Sequence, residues 1–316
     1  MSDGYSSTPS QRKPSAQRIA EASYKRTLTR LDKIQQHIAD TPRANKLKGK
    51  VAIITGVGSL KGIGRAAALL FAHQGARHLY LIDYVEDNLP NLKETIESKY
   101  SDVKVTTIQA DAADDKAISS LCARAILEEG RLDVFFANAG IATGTHIWDT
   151  DAATFENTMR VNALSAFLAL KYGSAAMKKL SDDKSDSWGS IIMTASVAGL
   201  RAGAGSADYS SSKAAVISLA QLGASQLPDT NIRVNALCPG LIETGMTTST
   251  FDYARAKGVA GKIGQLNPQR RFGMSEGIAQ VALFLASDDS SYINGQAIAV
   301  DGGLSASHPV ALGKMW

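Results

Sequence analysis

This 316-residue chain predicts an α/β fold: one doubly wound, seven-stranded parallel sheet preceded by an N-terminal helical arm. Three observations carry that expectation. Short runs rich in Val, Ile, Leu and Phe alternate with helical periods from Lys48 onward, as a parallel sheet with crossover helices requires. A glycine-rich turn, Thr55-Gly56-Val57-Gly58-Ser59-Leu60-Lys61-Gly62-Ile63-Gly64, joins the first run to the first helical period. Most of the motifs described below stand just beyond the carboxyl ends of such runs, where open sheets of this type bind ligands.

The arm comes first. Its opening residues are rich in Ser, Thr, Pro and Gly, a composition that suits disorder. Ser15 to Ile38 then carries a helical period with Leu28, Leu31, Gln35 and Ile38 roughly on one side, and Pro42 stops it. Residues 1–48 hold ten Lys/Arg against four Asp/Glu, a net of +6, whereas the remainder holds 24 against 26, a net of −2. The overall +4 therefore belongs to the arm, and the body offers no basic surface for nucleic acid. The arm reads as a helix packed on its own subunit or the next, as a mitochondrial targeting segment, or as a surface that docks a partner; Asp3 and Glu21 count against targeting. Residues 1–47 are read as the arm and 48–316 as one domain, since single α/β domains of about 250 residues are common.

Within the domain, Val51 to Thr55 is the first strand and Arg65 to Gln74 the first helix. His78 to Ile82, Val103 to Gln109 and Val134 to Ala137 are strands two to four, with helices at Asn88 to Tyr100 and Lys116 to Glu129 between them. A long helix runs from about Phe155 to Lys179, and Ser181 to Trp188, with three Asp and a Lys, reads as a solvated loop without a site. Ser190 to Thr194 is the fifth strand, Ile232 to Leu237 the sixth and Gln296 to Val300 the seventh.

Composition narrows the class. Apolar content of 44% and charged content of 20% are ordinary for a globular protein with a sizeable core. No stretch approaches eighteen consecutive apolar residues and the N-terminus lacks an apolar signal core, so neither a membrane span nor secretion is expected and a cytoplasmic location is, with mitochondria as the alternative. Cys122 and Cys238 are far apart, which argues for a reducing compartment, and Cys238 reads as a small buried hydrophobe. The five histidines are scattered without metal-ligand spacing, so no metal is expected.

The chemistry is concentrated in Tyr209-Ser210-Ser211-Ser212-Lys213, thirteen residues after Ser196. Residues four apart share one helix face, so Tyr209 and Lys213 can aim a phenol and an ammonium at one point. A fixed cation favours phenolate, which brings a group that normally titrates near pH ~10 toward the range of a general acid or base. Ser196 would hold the substrate oxygen. The glycine turn lets backbone approach a pyrophosphate while the next helix presents its positive N-terminus. Asp83, ending the second strand nineteen residues after Gly64, can accept bonds from ribose hydroxyls and repel a 2′-phosphate.

Joined by Asn138-Ala139-Gly140, Asn162 and Pro239-Gly240-Leu241-Ile242-Glu243-Thr244 in the same order, these motifs resemble those of the short-chain dehydrogenase/reductase family from about Lys48 to Ser305. The resemblance implies a single Rossmann-type domain that transfers a hydride between NAD and a secondary alcohol or ketone. Catalysis would fall to Ser196, Tyr209, Lys213 and Asn162, the last holding a water that connects Lys213 to solvent. Cofactor contacts would come from Gly56, Gly58, Gly62, Ile63, Gly64, Asp83, Asp111 at the adenine, Asn138, Gly140, Tyr209, Lys213 at the nicotinamide ribose, Ile242 through its backbone, and Thr244 at the carboxamide. The bare residues also allow Asp111 and Thr244 to be helix caps. The family's usual turn has three residues between its first two glycines, whereas five separate Gly56 from Gly62 here; either the turn is longer or its register is shifted, and the longer turn is favoured because the strand ends at Thr55. Lys61 is a counter-signal for NADP, since NADP-using relatives often carry a basic residue there.

The resemblance also implies a flap over the nicotinamide at Gly245 to Arg271, and a homodimer or homotetramer built on the helices Phe155 to Lys179 and Tyr209 to Gln226. Substrate choice would lie in that flap and in Ile141 to Asp149 and Leu200 to Asp208. Met246, Phe251, Tyr253, Val259, Ile263 and Leu266 lean it toward a hydrophobic alcohol or ketone. Alternatives are an NADPH-dependent ketone reductase, an epimerase-like reaction that recycles the cofactor, and, in another class, a dinucleotide-binding scaffold that recruits a partner through its basic arm.

Overall fold

The computed structural model describes residues 16–307. The opening Ser/Thr/Pro/Gly segment of the arm lies outside the described residues. α1 (Ala16–Ala39) is followed by β1 (Val51–Thr55), α2 (Ile63–His73), β2 (His78–Asp83), α3 (Leu89–Lys99), β3 (Lys104–Gln109), α4 (Asp115–Glu129) and β4 (Val134–Ala137). Then come α5 (Ala152–Met159), α6 (Ser165–Leu168), α7 (Ser174–Met177), β5 (Gly189–Thr194), α8 (Val197–Leu200), α9 (Ala207–Gln226), β6 (Ile232–Pro239) and β7 (Ile242–Glu243). α10 (Thr248–Ala256), β8 (Gly273–Met274), α11 (Ser275–Ala286) and β9 (Ala297–Val300) close the chain. Seven strands form one sheet in the order β3-β2-β1-β4-β5-β6-β9, every neighbouring pair parallel, as expected from the sequence.

Alternation along the central strands sends side chains to two separate cores. Ala52, Ile54, Leu79, Leu81, Val134 and Phe136 face α2, α3 and α11, while Val51, Ile53, Tyr80, Ile82 and Phe135 face α4 and α9. Both faces are covered, so these strands read as continuous apolar runs. The strand order reverses between β1 and β4, and the crevice at such a switch point is where this architecture takes a ligand.

Four local expectations change. The long helix starts at Ala152, because Asp151 caps it by accepting from Thr154 N at 2.8 Å, and π-helical turns at Arg160–Leu164 and Ala169–Gly173 interrupt it. A two-stranded pair, β7 with β8, had no signal in runs this short. The arm helix packs on its own subunit through Leu31, with Tyr24 and Ile34 beside it, while Leu28, Gln35 and Ile38 line an open groove against α2, Leu28 being 41% exposed.

The fourth change concerns the segment Ser181 to Trp188. Its lysine is not solvated: Lys184 is buried, donating to the carbonyls of Leu132 at 2.8 Å, Met177 at 2.8 Å and Trp188 at 2.9 Å, 3.8 Å from Asp133. An ammonium has three N–H donors, and here each finds a carbonyl, which is what lets a charged side chain leave water.

Candidate active site

The glycine turn is organised by close backbone approaches. Thr55 Oγ1 accepts from the amides of Asn138 and Ala139, both at 3.0 Å, tying the end of β1 to the end of β4. Gly56 has φ +74°, and a Cβ there would stand 2.8 Å from Ala139 Cα. At Gly64 a Cβ would meet Gly56 O at 2.3 Å, so this position packs the helix on the turn. Gly62 is the N-cap of α2, with no side chain capping it, and Ile63 begins the helix. Thr55 keeps its bonds to β4 and Val57 is buried in the core, so the turn is longer rather than shifted. The extra length is accommodated at Ser59 to Lys61, of which Leu60 is exposed.

Asp83 accepts from Gly58 N at 2.6 Å and from Val85 N at 3.1 Å, and a Cβ at Gly58 would collide with its carboxylate at 2.8 Å. Lys61 turns away from it: its exposed Nζ stands 3.8 Å from Glu243 Oε1. Asn88, which sequence reasoning missed, donates from Nδ2 to Gly58 O at 2.8 Å and steadies the same turn; its only signal was its place before Leu89-Pro90 at a helix start. Asp111 is set apart from the cleft, pairing with Arg160 at 2.7 Å and accepting from Ala113 N at 2.8 Å. Nor does it cap the following helix, because Asp114 does so by accepting from Ala117 N.

Ser196 follows β5 and accepts from Ala198 N at 3.1 Å, which fixes its Oγ at the start of α8. Tyr209 and Lys213 share a face of α9, with Lys213 Nζ 5.6 Å from the phenol ring centre. Lys213 is buried and donates to Thr194 O at 2.7 Å. A Cβ at Gly140 would lie 3.2 Å from that Nζ and 3.0 Å from Asn162 Oδ1, so glycine is what lets the two approach the end of β4. Asn138 reaches back from the same loop, donating to Thr55 O and Gly56 O and accepting from Thr194 Oγ1 at 3.0 Å.

Electrostatics corrects one expectation. Burial raises the Tyr209 phenol above its ordinary value, only partly opposed by a hydrogen bond from Ser196, and burial pushes Lys213 down to about 8. In the protein alone, desolvation sets the direction of the shift on the phenol. Cys238, beside Lys213, is buried and pushed up to about 11, which makes it a poor nucleophile. Asn162 lies in the first π-helical turn, a distortion frequent at functional sites. Its side chain is committed, accepting from Ile141 N and donating to Ile141 O and Ser212 Oγ, so it clamps the loop after β4 to α9. The Asn162 amide nitrogen is therefore not the group that holds a water. Thr244 combines both readings: its amide donates to Thr247 Oγ1 at 3.0 Å as the cap of a 3₁₀ turn, and it lines the cleft. Ile242 lines it too, though its carbonyl already accepts from Thr247 Oγ1 at 2.6 Å.

One cleft of about 650 Å³ at the carboxyl ends of the strands brings these groups together. Gly56, Gly58, Gly62, Ile63, Asp83, Asn138, Gly140, Ser196, Tyr209, Lys213, Ile242 and Thr244 line it; Gly64, Asp111 and Asn162 do not. Met246 and Thr247, from the start of the expected flap, line it too, as do Ser59 of the glycine turn and the unforeseen Asn88. A dinucleotide fits the residues present: one cleft is lined by an uncapped helix N-terminus, by the Asp83 carboxylate and by the Ser-Tyr-Lys group. Among the described residues no group of three His, Cys, Asp or Glu forms a metal site, and no helix is long and apolar enough to cross a membrane.

A parallel sheet with a dinucleotide-sized cleft at its switch point and a serine, a tyrosine and a lysine at one end defines an oxidoreductase of the nicotinamide-dependent kind. Comparison with known proteins makes the family specific. A family model described as enoyl-(acyl carrier protein) reductase matches residues 56–305. The chain is 37% identical over 259 residues to the 3-oxoacyl-[acyl-carrier-protein] reductase FabG of Thermotoga maritima, covering 82% of this chain and 99% of that protein. It is 32% identical over 274 residues to the levodione reductase of Leifsonia aquatica, covering 85% and 99%. The crystal structure of levodione reductase superposes with a TM-score of 0.75 over 83% of this chain and 100% of the other. A short chain dehydrogenase from Mycobacterium paratuberculosis bound to NAD gives 0.71 at 26% identity, over 83% of this chain and 100% of that one. The protein belongs to the short-chain dehydrogenase/reductase family of oxidoreductases.

Proposed function

We propose that this protein is an NAD-dependent dehydrogenase or reductase acting on a hydrophobic secondary alcohol or its ketone. The observation that carries the cofactor choice is Asp83: its carboxylate, bonded to Gly58 N at the rim of the turn, is positioned to accept from ribose hydroxyls and to repel a 2′-phosphate. Lys61, the residue that argued for NADP, is drawn to Glu243 instead. When bound, the nicotinamide supplies or accepts the hydride. Ser196 Oγ orients the substrate oxygen, Tyr209 Oη takes the proton from an alcohol or gives it to a ketone, and Lys213 Nζ bonds the cofactor ribose and holds positive charge beside the phenol. Asn162 keeps the loop after β4 in place. Asp111, occupied with Arg160, is at most an outer contact of the adenine.

The substrate class rests on Met246, Ile141 and Ala142 in the cleft wall, on the exposed Ile147, Trp148 and Leu200 in the segments expected to set substrate choice, and on relatives named for levodione and 3-oxoacyl reduction. Phe155, Leu164, Phe167 and Leu222 remain exposed on the long helix and α9, which supports a homodimer or homotetramer assembled on those helices. Residues 1–47 form an arm on the catalytic domain 48–316, and the cytoplasm is the proposed location, with mitochondria as the alternative. Fluorescence titration with NADH and with NADPH tests the cofactor reading. NADH is expected to bind at least about tenfold more tightly, with Asp83→Ala removing most of that preference, since each tenfold is about 1.4 kcal/mol. Equal or reversed preference in the unaltered protein points instead to an NADPH ketone reductase, and binding of neither to a scaffold.

A further inference from the structure

Two features set this chain apart from the family pattern, the arm helix and the lengthened glycine turn, and they meet at one side chain. α1 lies outside the region the family model matches, residues 56–305. Its Leu31 packs in a cluster with Phe251 of α10, Phe272 and Met274, joined by Tyr24 and Ile34 of the same helix. Phe251 and Phe272 meet edge to face at 4.9 Å. Phe251 is 1% exposed although it belongs to the flap, so the arm gives that helix an apolar anchor on the side away from the cleft. Tyr24 also bonds Arg255 of α10, and Arg255 Nη2 donates to Glu243 Oε1 at 2.5 Å. The same carboxylate oxygen stands 3.8 Å from Lys61 Nζ in the longer turn. That turn is held further by Ser275 Oγ, which donates to Lys61 O at 2.6 Å, and it crowds Gly245, where a Cβ would stand 2.6 Å from Ser59 Oγ.

We propose that α1 is an internal strut for the flap, and that Glu243 is a positioning residue coupling the flap helix α10 to the glycine turn. Glu243 immediately precedes Thr244, which lines the cleft, so its placement transmits to the nicotinamide end through one peptide unit. The apolar cluster carries most of the attachment, because partly exposed ion pairs such as Lys61–Glu243 contribute little on their own. The ion pairs set the register in which flap and turn meet. The consequence for binding rests on the proposal that this cleft holds a nicotinamide dinucleotide; the coupling itself does not.

Hydrogen exchange read by mass spectrometry on the full chain, free of ligand, tests the strut. Leu31→Ala is expected to speed exchange in residues 248–263 by about tenfold, and Glu243→Gln to speed it in both 248–263 and 57–62, since local opening tracks lost contacts. With a ketone substrate, Leu31→Ala should raise KM several-fold while kcat stays within about twofold, the signature of lost binding rather than lost chemistry. Tyr24→Phe, a milder change that keeps the apolar ring, should give a smaller effect in the flap alone. Faster exchange confined to α1, with flap and turn unmoved in all three variants, overturns the proposal. Failure to bind NADH would sink the cofactor reading and leave the exchange result standing, so the two ideas fail separately.

Discussion

Two buried lysines, at opposite ends of the sheet, share several properties and do different things. Lys213 stands at the carboxyl ends of the strands and Lys184 lies below the amino ends of β4 and β5, both out of water and both pushed down to about 8 by burial. Their bonding separates them. Lys184 spends its three N–H groups on three backbone carbonyls, stands near Asp133 and faces the Trp188 ring at 5.5 Å. Lys213 makes one bond, to Thr194 O, and otherwise lines a 650 Å³ cleft. A shifted titration therefore does not mark function; bonding capacity left open toward a cleft does. Lys184 holds a loop shut, and Lys213 is the lysine proposed to meet a ligand.

The sharpest way to break that contrast is to remove each group. Tyr209→Phe is expected to lower kcat/KM by about 10²–10⁴ through loss of the proton donor, while NADH binding changes only a few-fold. Thermal denaturation should show it nearly as stable as the parent, because only the hydrogen bond with Ser196 is lost and Ser196 Oγ keeps its bond from Ala198 N. Lys184→Met should do the opposite. Three carbonyls lose their donor, at roughly 1–3 kcal/mol for each group left unsatisfied, partly recovered by relaxation, so about 3 kcal/mol of stability is lost in urea titration. Its kcat/KM in the surviving folded protein should stay within about twofold. Equal losses of activity in the two variants would erase the distinction between them.

Gly140→Ala probes the active end more gently. The new methyl would stand 3.0 Å from Asn162 Oδ1 and 3.2 Å from Lys213 Nζ, tight enough to push the ammonium a few tenths of an ångström. A loss of about tenfold in kcat/KM with little change in melting temperature is expected, since small misplacements near reacting groups are felt in rate before stability. A variant with parental kinetics would show that the ammonium has slack.

The contrast also explains what the sequence made legible. The sheet was readable because its strands are buried on both faces and so appear as unbroken apolar runs such as Val51 to Thr55. The shared face of Tyr209 and Lys213, the proposed reacting pair, was readable because it obeys helical spacing, a local rule. What depended on distant partners was not. Nothing local tells that Lys184 finds carbonyls from residues 132, 177 and 188, or that Asp111 finds Arg160. Phe251 was expected to face substrate with the rest of the flap, yet the arm, more than two hundred residues earlier, buries it. The direction of the Tyr209 shift was misjudged for the same reason: a cation four residues away is visible in sequence, whereas burial is a property of the whole fold.

The smallest effect concerns pH, and it again sets the two lysines apart. A group lowered from 10.5 to about 8 loses its proton in the folded protein first, so between those values the unfolded chain binds more protons and stability gains from rising pH. Lys184 and Lys213 contribute alike to that slope, and Lys184→Met should reduce it without touching catalysis. On the proposed mechanism, ketone reduction needs Tyr209 protonated, which burial favours, and Lys213 charged, which burial opposes. The kcat/KM for reduction should accordingly fall about tenfold per pH unit above a limb near 8, because this ratio reports the free enzyme. Lys213→Arg keeps a cation at that pH, so whatever activity it retains should lose the limb, whereas Lys184→Met should keep it in place. A limb near 8 that survives in Lys213→Arg would assign the titration to another group and remove the ammonium's charge from the requirements of the proton transfer.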